Sequence, residues 1–523
     1  MILLPRYLCV LLSVFVSSGV QQSAAQSRPH IILIVADDLG WDDVSFHGSD
    51  QIPTPNIDDL AYNGVILHNY YVQPICTPTR AALMTGRHPI HLGLQHDVIM
   101  GAMPSGLPLN ETIFPQYFKK LGYSTHMVGK WHLGFFAWQY TPTFRGFDSF
   151  FGYYNGKEDY YDHMTLENEY MGYDLRDNVS VRHSLDGQYT TELFTTKVED
   201  IIKQNNNQQP LFLYLAHLAV HSANPSQPLE APDKYVKRFP HIQDKNRKMF
   251  AAMASALDDS IGNITKTLKD TGLYNNSIIV FTTDNGGPAA GFDRNYASNW
   301  PLRGIKATLW EGGVRGTGLI HSPLLEKSGI IQEGMVHVCD WLPTLYHAAG
   351  GNVSELPQNL DGVNLWDTLS MGTASPRNEI LHNIDPITQT AALRVGKYKV
   401  IIGDVYKGKW DGWFKPEQVT DGIRPDHSSQ DMRAAIIECG HKPSNASTNC
   451  KPTKSPCLYN IKNDPCEYNN IANMYPDILK ELLSRLDEYN ATAVLPWFPP
   501  DDPRADPKLH GGVWSPWVNL TTL

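Results

Sequence analysis

The chain has 523 residues, of which 42% are hydrophobic and 19% charged, a composition typical of a folded globular protein and not of a disordered one. Its length predicts two domains rather than one small core. The formal net charge of −11 argues against nucleic acid as the main partner and, more weakly, against a long polyanion spread over a basic face.

Residues 1–25 have the features of a secretory signal peptide. Arg6 precedes an apolar run over residues 7–16, and residues 23–25 are small, as signal cleavage requires. The run is too short to span a bilayer, and no later segment is long and apolar enough. The sequence therefore predicts a protein of the secretory pathway, lysosomal or secreted, with no membrane span. We expect a monomer or a weak homodimer.

Eight Asn-x-Ser/Thr sequons agree with secretion, and we expect only some of them to carry glycan. They lie at Asn110, Asn178, Asn263, Asn275, Asn352, Asn445, Asn490 and Asn519.

The first predicted element of the mature chain is a buried strand. Residues 31–36 form a continuous apolar run of the kind found in parallel sheets. The run ends in Asp37 and Asp38, and open α/β sheets bind ligands at the carboxyl ends of their strands. The alternative is that these two carboxylates cap a helix or a turn.

A short helix is predicted over residues 79–85, with Thr77 as its N-cap and Pro78 at its first position. Cys76 then lies beside the helix N-terminus, where unpaired N–H groups favour an anion. Arg80 adds a bidentate donor suited to a tetrahedral oxyanion. Cys76 is therefore a candidate nucleophile in an anion pocket. The alternative for a single cysteine is a buried or disulfide-bonded residue.

Three further apolar strands are predicted over residues 123–128, 210–216 and 277–282, each followed by polar side chains. These are Lys130 and His132 after the first strand, the competing candidates His217 and His221 after the second, and Asp284 and Asn285 after the third. Strands that alternate with helices, such as the one predicted over residues 247–268, indicate a mostly parallel sheet with helices on both faces. We expect all these strand ends to meet at one crevice.

This arrangement gives one set of candidate metal ligands. Asp37, Asp38, Asp284 and Asn285 offer only oxygen ligands, which suit Ca²⁺ or Mg²⁺, and the set contains no His or Cys to select zinc. A divalent ion there would offset the carboxylate charge and polarise a sulfuryl or phosphoryl oxygen. Lys306 lies in a glycine-rich stretch over residues 301–316 and is a further candidate. Arg303 and Arg315 in the same stretch are expected to be structural.

The character of the sequence changes after about residue 375. Residues 393–402 predict an exposed antiparallel strand, residues 475–489 an amphipathic helix, and the proline-rich end an irregular segment wrapped on the surface. We expect a catalytic domain over residues 26–375 and a smaller α+β domain over residues 376–523.

Four cysteines cluster in the smaller domain: Cys439, Cys450, Cys457 and Cys466. In an oxidising compartment they predict two disulfides, for which three connectivities are possible. Short loops favour the pairs Cys439–Cys450 and Cys457–Cys466. A zinc site is the alternative, but the spacings contain no Cys-x-x-Cys pair.

Several of these stretches together resemble the type I sulfatase family, most closely its arylsulfatase B-like members. The most specific is the Cys-x-Pro-x-Arg motif from Cys76 to Arg80, followed by Leu-Met-Thr-Gly-Arg; the others are residues 36–41, 129–134, 284–287 and the stretch around Lys306. The resemblance implies the alkaline phosphatase-like fold: a mostly parallel central sheet sandwiched by helices, plus a smaller C-terminal α+β domain with an antiparallel sheet.

The resemblance also implies a mechanism. Cys76 would be oxidised by the formylglycine-generating enzyme to formylglycine (3-oxoalanine) and hydrated to a geminal diol, one hydroxyl of which attacks sulfur. The implied roles are as follows: Asp37, Asp38, Asp284, Asn285 and modified Cys76 bind one Ca²⁺; His221 and Lys306 protonate the leaving alcohol; His132 takes a proton from the second hydroxyl; and Arg80, Lys130 and Lys306 hold the sulfate. A serine would be left as a stable sulfate ester, whereas a diol can eliminate sulfate.

The substrate is less defined than the reaction. The resemblance implies a sulfuric ester hydrolase for a sulfated N-acetylgalactosamine end of a glycosaminoglycan; aryl sulfates and small sulfated plant glucosides such as glucosinolates are alternatives. Aromatic residues over 150–173 either stack on such groups or pack under a loop. Two other functions stay open: a phosphate-ester hydrolase of the same fold, which would normally use Ser or Thr, and a catalytically silent binding protein.

Overall fold

The computed structural model describes residues 28–205, 209–416 and 435–520. The predicted signal peptide over residues 1–25 lies outside these ranges. In the part of the chain that is described, no helix has both the length and the apolar character needed to cross a membrane.

Sixteen strands and ten α-helices are present in the described residues. The strands are β1 His30–Ala36, β2 Val65–Tyr71, β3 Ser124–Lys130, β4 Ser149–Tyr153, β5 Met164–Glu167, β6 Tyr170–Tyr173, β7 Arg176–Asp177, β8 Ser180–Val181, β9 Leu211–Ala216, β10 Ser277–Thr283, β11 Gly318–His321, β12 Ile330–His337, β13 Glu379–Asp385, β14 Thr390–Val395, β15 Tyr398–Ile402 and β16 Cys457–Asn460. The helices are α1 Pro55–Tyr62, α2 Cys76–Thr85, α3 Phe114–Lys120, α4 Thr190–Gln204, α5 Asp233–Val236, α6 Lys245–Asp270, α7 Glu311–Val314, α8 Trp341–Ala348, α9 Trp366–Met371 and α10 Pro476–Asn490.

The central sheet has ten strands in the order β12-β2-β11-β10-β1-β9-β3-β4-β7-β8. Strand β1 pairs in parallel with both β9 and β10, and β3 pairs in parallel with β9 and β4. The four strands predicted from the sequence therefore lie side by side. The mostly parallel α/β fold is confirmed, and antiparallel pairing is confined to β11 and the short strands at the β4 edge.

Helices cover both faces of this sheet. Helix α6 packs with α1, α4 and α5, whereas α2 packs with α3 and α8. Strand β1 shows why both faces are covered: Ile32 and Ile34 belong to one apolar core, and Leu33 and Val35 belong to the other. A strand that is apolar on both sides is stable only when each side is removed from water.

The second sheet is antiparallel, in the order β13-β14-β15-β16. Helix α10 packs against β14 and β15. The prediction of one continuous strand over residues 393–402 was wrong, because this stretch contains the turn of an antiparallel hairpin between β14 and β15. Gly396 lies in that turn with φ 54°, a conformation that glycine adopts without the steric cost of a Cβ.

The C-terminal tail is irregular, as predicted, but it does not lie only on the surface. Trp514 is fully buried and its indole nitrogen donates to the Thr165 carbonyl at 3.1 Å. The Trp514 and Tyr173 backbones also bond, at 3.0 Å. The tail thus returns to the region of the first sheet, because its large apolar side chain gains from burial there.

The disulfide pairing predicted from short loops was wrong. Cys439 pairs with Cys466, and Cys450 pairs with Cys457, so one bridge is nested within the other. Cys457 begins β16 and shares an apolar cluster with Cys450. The inner bridge closes a short loop, with a sequence separation of 7, but the outer one has a separation of 27, so short loops do not decide both pairs. The eight sequon asparagines are all exposed.

Candidate active site

The predicted oxygen cluster forms where β1 and β10 end. These strands are in register, with Ala36 beside Thr283, so the residues that follow them are neighbours. The side chains of Asp37, Asp38, Asp284 and Asn285 have no exposed surface. Asn285 Nδ2 donates to Asp38 Oδ1 at 2.7 Å, and the Asp38 backbone N–H donates to Asp284 Oδ1 at 3.3 Å.

Three buried cations surround these carboxylates. Arg80 Nη2 lies 2.8 Å from Asp284 Oδ2 and 3.3 Å from Asp37 Oδ2. Lys130 Nζ, at the end of β3, lies 2.5 Å from Asp37 Oδ2. On the other side, Lys306 Nζ lies 2.8 Å from Asp38 Oδ2. The sequence-predicted cations and carboxylates thus belong to one cluster.

Helix α2 begins at Cys76 itself, so the prediction of Thr77 as the N-cap was wrong. The residue before the helix is Ile75, and the Thr77 hydroxyl instead donates to the His132 carbonyl at 3.0 Å. Cys76 is buried, and its Sγ lies 3.9 Å from Asp37 Oδ1. Cys76 is not disulfide-bonded. The candidate nucleophile therefore lies at the helix start and against the carboxylate cluster.

A second threonine of the motif fixes α2 to the sheet, and the sequence did not reveal this role. The Thr79 hydroxyl donates to the Asp284 carbonyl at 2.5 Å and accepts from the Gln73 backbone N–H at 2.9 Å. Thr79 is buried. These bonds hold the start of the helix against the loop that carries Asp284.

His132 projects into the same site from the turn after β3. Its backbone φ is 55°, a conformation that is rare outside glycine. Gly156 lies under the ring, where an added Cβ would come within 2.8 Å of an imidazole carbon. Burial, and then the charges of Lys130 and Arg80, hold the pKa of His132 well below its ordinary value. The imidazole is therefore neutral near pH 7.

The structure separates the two histidines that follow β9. His221 Nε2 lies 3.2 Å from Lys306 Nζ and 3.3 Å from Asp38 Oδ2, so His221 belongs to the site. His217 instead bonds Ser260 on α6 at 3.1 Å. Burial and the Lys306 charge hold the pKa of His221 well below its ordinary value.

Asp293 also contacts these groups, although no sequence motif marks it. Its carboxylate lies 3.3 Å from Lys306 Nζ, 3.6 Å from His221 Nε2 and 3.1 Å from Lys157 Nζ. Like Asp38 and His132, Asp293 has a positive φ, of 51°. Such conformations cost energy and cluster at functional sites.

The electrostatics of the cluster fit a bound cation. Burial, and then the neighbouring Asp284 carboxylate, raise the pKa of Asp37 to about 8. Asn285 Oδ1 is a buried acceptor with no partner among the described residues. Oxygen atoms of Asp37 and Asp38, Cys76 Sγ and a His221 ring nitrogen all lie within 4.8 Å of one another, close enough to hold a metal ion.

A cavity of about 210 Å³ opens onto this cluster, and Cys76, His132, His221, Lys157 and Lys306 line it. Arg80 and Lys130 have no exposed surface and lie beneath it. Burial opposes the charge on Lys306, but Asp38 and Asp293 hold its pKa well above its ordinary value. Two ammonium groups and a neutral imidazole therefore face the same small space, which Asp97, Glu167 and Asp293 also line.

The aromatic residues over 150–173 pack in the core and do not line this cavity. Tyr153, Tyr154 and Tyr160 are buried, and Tyr154 stacks on Phe150 with ring centroids 5.5 Å apart. The packing interpretation of this stretch is thus the one that the structure favours.

The two arginines near Lys306 have structural contacts, as expected. The Arg303 guanidinium lies over the Trp310 ring at 3.5 Å, and Arg315 donates to the His68 carbonyl.

Comparisons with known proteins identify the family to which this chain is similar. A family model described as Sulfatase matches residues 29–351. Arylsulfatase J of Mus musculus is 44% identical over 516 residues, covering 95% of this chain and 81% of the relative. The N-acetylgalactosamine-6-sulfatase of Homo sapiens is 28% identical over 438 residues, a match that covers 80% of this chain and 81% of that relative. A crystal structure of Ps i-CgsB in complex with k-i-k-neocarrahexaose is 28% identical, with a TM-score of 0.72, covering 90% of this chain and 95% of that one.

Proposed function

The chain belongs to the sulfatase family and is a sulfuric ester hydrolase, and from this premise we propose that it acts through an oxidised Cys76 held against a calcium ion. One observation carries the proposal. Cys76 begins α2 with its Sγ 3.9 Å from Asp37, inside a buried set of oxygen ligands.

The environment of Cys76 supports its oxidation rather than catalysis by a thiolate. Burial raises the pKa of the Cys76 thiol well above its ordinary value, and a protonated thiol is a poor nucleophile. Sulfatases generally use a formylglycine and a metal ion. Conversion of Cys76 to formylglycine by the formylglycine-generating enzyme supplies a hydrated aldehyde as the nucleophile.

Asp37, Asp38, Asp284, Asn285 and the oxygen of modified Cys76 would hold the ion. All are hard oxygen ligands, which favours Ca²⁺ over zinc and suits it better than Mg²⁺. The buried Asn285 Oδ1, which has no partner among the described residues, supports a cation at this point. When bound, the ion offsets carboxylate charge and polarises an oxygen of the sulfate ester.

His221 and Lys306 are positioned to serve the leaving group. The Lys306 ammonium keeps its proton and lies 3.2 Å from His221 Nε2. His221 Nδ1 is fixed by the Ser222 carbonyl at 2.6 Å, which orients Nε2 toward the cavity. A bound sulfate ester brings negative charge that favours a protonated His221. His221, assisted by Lys306, then gives a proton to the departing alcohol oxygen as its bond to sulfur breaks.

His132 is positioned to act as the base that completes the cycle. It is neutral, lines the cavity, and its Nδ1 has no partner among the described residues. A neutral imidazole accepts the proton whose removal from residue 76 allows sulfate to leave. Arg80 and Lys130 hold the carboxylates from below, and Lys306 faces the sulfate oxygens directly.

We propose a sulfated sugar end or a small aryl or glucoside sulfate as the substrate. The names of the relatives support both kinds, since one is an arylsulfatase and the other an N-acetylgalactosamine-6-sulfatase. We also propose maturation in the secretory pathway, with a lysosomal or secreted product, and domains over residues 26–375 and 376–523. The exposed sequons and the start of the second sheet at Glu379 support these two points.

The experiment compares an aryl sulfate with the matching aryl phosphate. The protein is expressed with the formylglycine-generating enzyme, and Cys76→Ser is the test variant. Cys339→Ser, at the other buried free cysteine, is the matched control. We expect sulfate hydrolysis by the wild type and the control and none by Cys76→Ser. A preference for the phosphate, or full activity of Cys76→Ser, would contradict the proposal, and inactivity of every correctly folded form would favour the silent binding protein.

A further inference from the structure

A second cavity adjoins the catalytic one. Its volume is about 400 Å³, and Ile75, Asp97 and Tyr406 line both cavities. We call it the side cavity. The leaving group of a sulfate ester bound with its sulfur against Cys76 can therefore extend past these shared residues into the side cavity.

The side cavity is acidic. Asp97, Asp385 and Asp404 line it, and no Lys or Arg is found among its described lining residues. Asp385 is already bound, by His96 Nδ1 at 2.8 Å and by the Thr388 hydroxyl at 2.6 Å. Within the described ranges, Asp97 and Asp404 form no salt bridge. Two carboxylates are thus available to accept hydrogen bonds, and no opposing cation attracts an anion.

The catalytic cavity differs because it also holds cations. Lys157 and Lys306 line it together with Asp97, Glu167 and Asp293, and the two ammonium groups suit the sulfate anion. The boundary at Asp97 and Tyr406 therefore separates a space for an anion from a space that repels one.

One aromatic side chain, Tyr406, lines the side cavity, and two further rings pack against it from outside that lining. Tyr406 is half exposed, and its ring lies 3.9 Å from that of Trp410 and 5.8 Å from that of Phe292. Tyr406 has a φ of 51°. Sugar rings present C–H faces that pack on aromatic rings, and their hydroxyls donate to carboxylates.

We propose that the side cavity holds the leaving group of the sulfate ester and selects one that is uncharged and rich in hydroxyls. A simple glycoside fits this chemistry, whereas a uronate-containing or multiply sulfated chain does not. The inference rests on the proposed function, because it takes the reacting sulfur to lie against Cys76. It narrows the substrate class to neutral glycoside sulfates.

The first test varies only the charge of the leaving group. The substrates are 4-(2-hydroxyethyl)phenyl sulfate and 4-(carboxymethyl)phenyl sulfate, which are close in size. We expect kcat/KM to be about tenfold higher for the neutral ester, because the carboxylates of the side cavity repel the anionic one. The double variant Asp97→Asn, Asp404→Asn should reduce the difference to about twofold.

Asp367→Asn is the matched control, since Asp367 is exposed on α9 and lines neither cavity. It should keep the wild-type preference. Equal rates for both esters, or a preference that survives the double variant, would overturn the inference while leaving sulfate hydrolysis intact. Hydrolysis of neither ester would contradict the proposed function and the inference together.

The second test uses sugars as inhibitors of 4-nitrophenyl sulfate hydrolysis. Phenyl β-D-glucoside should inhibit about tenfold more strongly than phenyl β-D-glucuronide. Tyr406→Ala should weaken inhibition by the glucoside about fivefold and Tyr406→Phe should preserve it, because the ring is what packs on the sugar. Stronger inhibition by the glucuronide, or no effect of Tyr406→Ala, would overturn the assignment.

Discussion

Two buried charge clusters in this protein can be compared, and one of them belongs to the candidate active site. The catalytic cluster joins Asp37, Asp38 and Asp284 to three cations. The other, which we call the joint cluster, consists of Lys399, Glu311 and Glu467. In it Lys399 Nζ lies 2.8 Å from a Glu311 oxygen and 2.9 Å from a Glu467 oxygen, with all three side chains fully buried.

Each cluster holds a carboxylate whose pKa is raised by burial, and the clusters differ in what surrounds it. Burial alone would raise the pKa of Glu311, but Lys399 and then Arg315 lower it to about 2. Burial raises the pKa of Glu467 to about 7, so a single ammonium faces one firmly charged carboxylate. In the catalytic cluster the pKa of Asp37 rises to about 8 and Asn285 Oδ1 has no partner among the described residues.

This difference separates a structural contact from a site. Lys399 lies on β15 of the second sheet and Glu311 begins α7 beside the first, so the joint cluster holds the two parts together. Lys399 lies between its two glutamates. The catalytic cluster also pairs its carboxylates with cations, but a cavity lined by Cys76 and Lys306 opens onto it. Burial of charge is therefore weak evidence for function unless the charged groups face a cavity.

The largest expected effect comes from Cys76→Ser. It should lower kcat by at least about a thousandfold, because the variant cannot form the aldehyde hydrate. The free energy of unfolding should change by less than about 1 kcal/mol, since one buried polar group replaces another of similar size. Steady-state kinetics and denaturant unfolding measure the two quantities. A stable variant with wild-type kcat would contradict the assignment of catalysis to the cluster around Cys76.

The converse result is expected for Lys399→Met in the joint cluster. Loss of the ammonium leaves buried Glu467 without its salt-bridge partner and Glu311 with Arg315 alone, at 3.6 Å, and should cost about 3–5 kcal/mol of stability, while kcat of the folded enzyme is unchanged. Lys397→Met on the same hairpin is the control, because Lys397 is exposed. A large loss of kcat at full stability would show that the joint cluster takes part in catalysis.

A smaller loss of kcat is expected for one of two buried histidines and none for the other. His132→Gln should lower kcat by about a hundredfold, because the base is lost. His217→Gln should leave kcat of the folded protein unchanged, since His217 contacts Ser260 and lies outside the cavity. Thermal melting checks that both variants fold. Equal losses of kcat for the two variants would contradict the role assigned to His132.

The smallest expected effect is a pH dependence of the stability that the joint cluster contributes. The folded pKa of Glu311, about 2, lies below its unfolded value. Its carboxylate therefore adds stability that is present above about pH 4.5 and is lost as the pH falls toward 2. The difference in unfolding free energy between wild type and Glu311→Gln should shrink between pH 6 and pH 3. A difference that stays constant would show that Glu311 is not held as an ion.

The sequence predicted the site well where a residue directly follows a buried strand. Asp37 and Asp284 follow strands that pair in register, so apolar runs alone placed their carboxylates together. The same reasoning placed Lys130 after its strand. Local pattern is sufficient here because parallel strands end at the same edge of a sheet.

The features that the sequence did not predict depend on contacts between distant parts of the chain. Asp293 reaches Lys306 and His221 from a loop without a motif, and Tyr406 enters from beyond residue 375. Tertiary packing likewise decides the disulfide pairing and the burial of Trp514, so neither could be predicted from local sequence. The sequence had no local signal for the side cavity.

Mass spectrometry of the peptide that contains residue 76 tests the central claim most directly. The active protein, made with the formylglycine-generating enzyme, is digested and treated with an aldehyde-specific probe. We predict an aldehyde at position 76 and an unmodified thiol at Cys339, with activity in proportion to the fraction of aldehyde. Full activity in protein whose Cys76 is entirely an unmodified thiol would contradict the account.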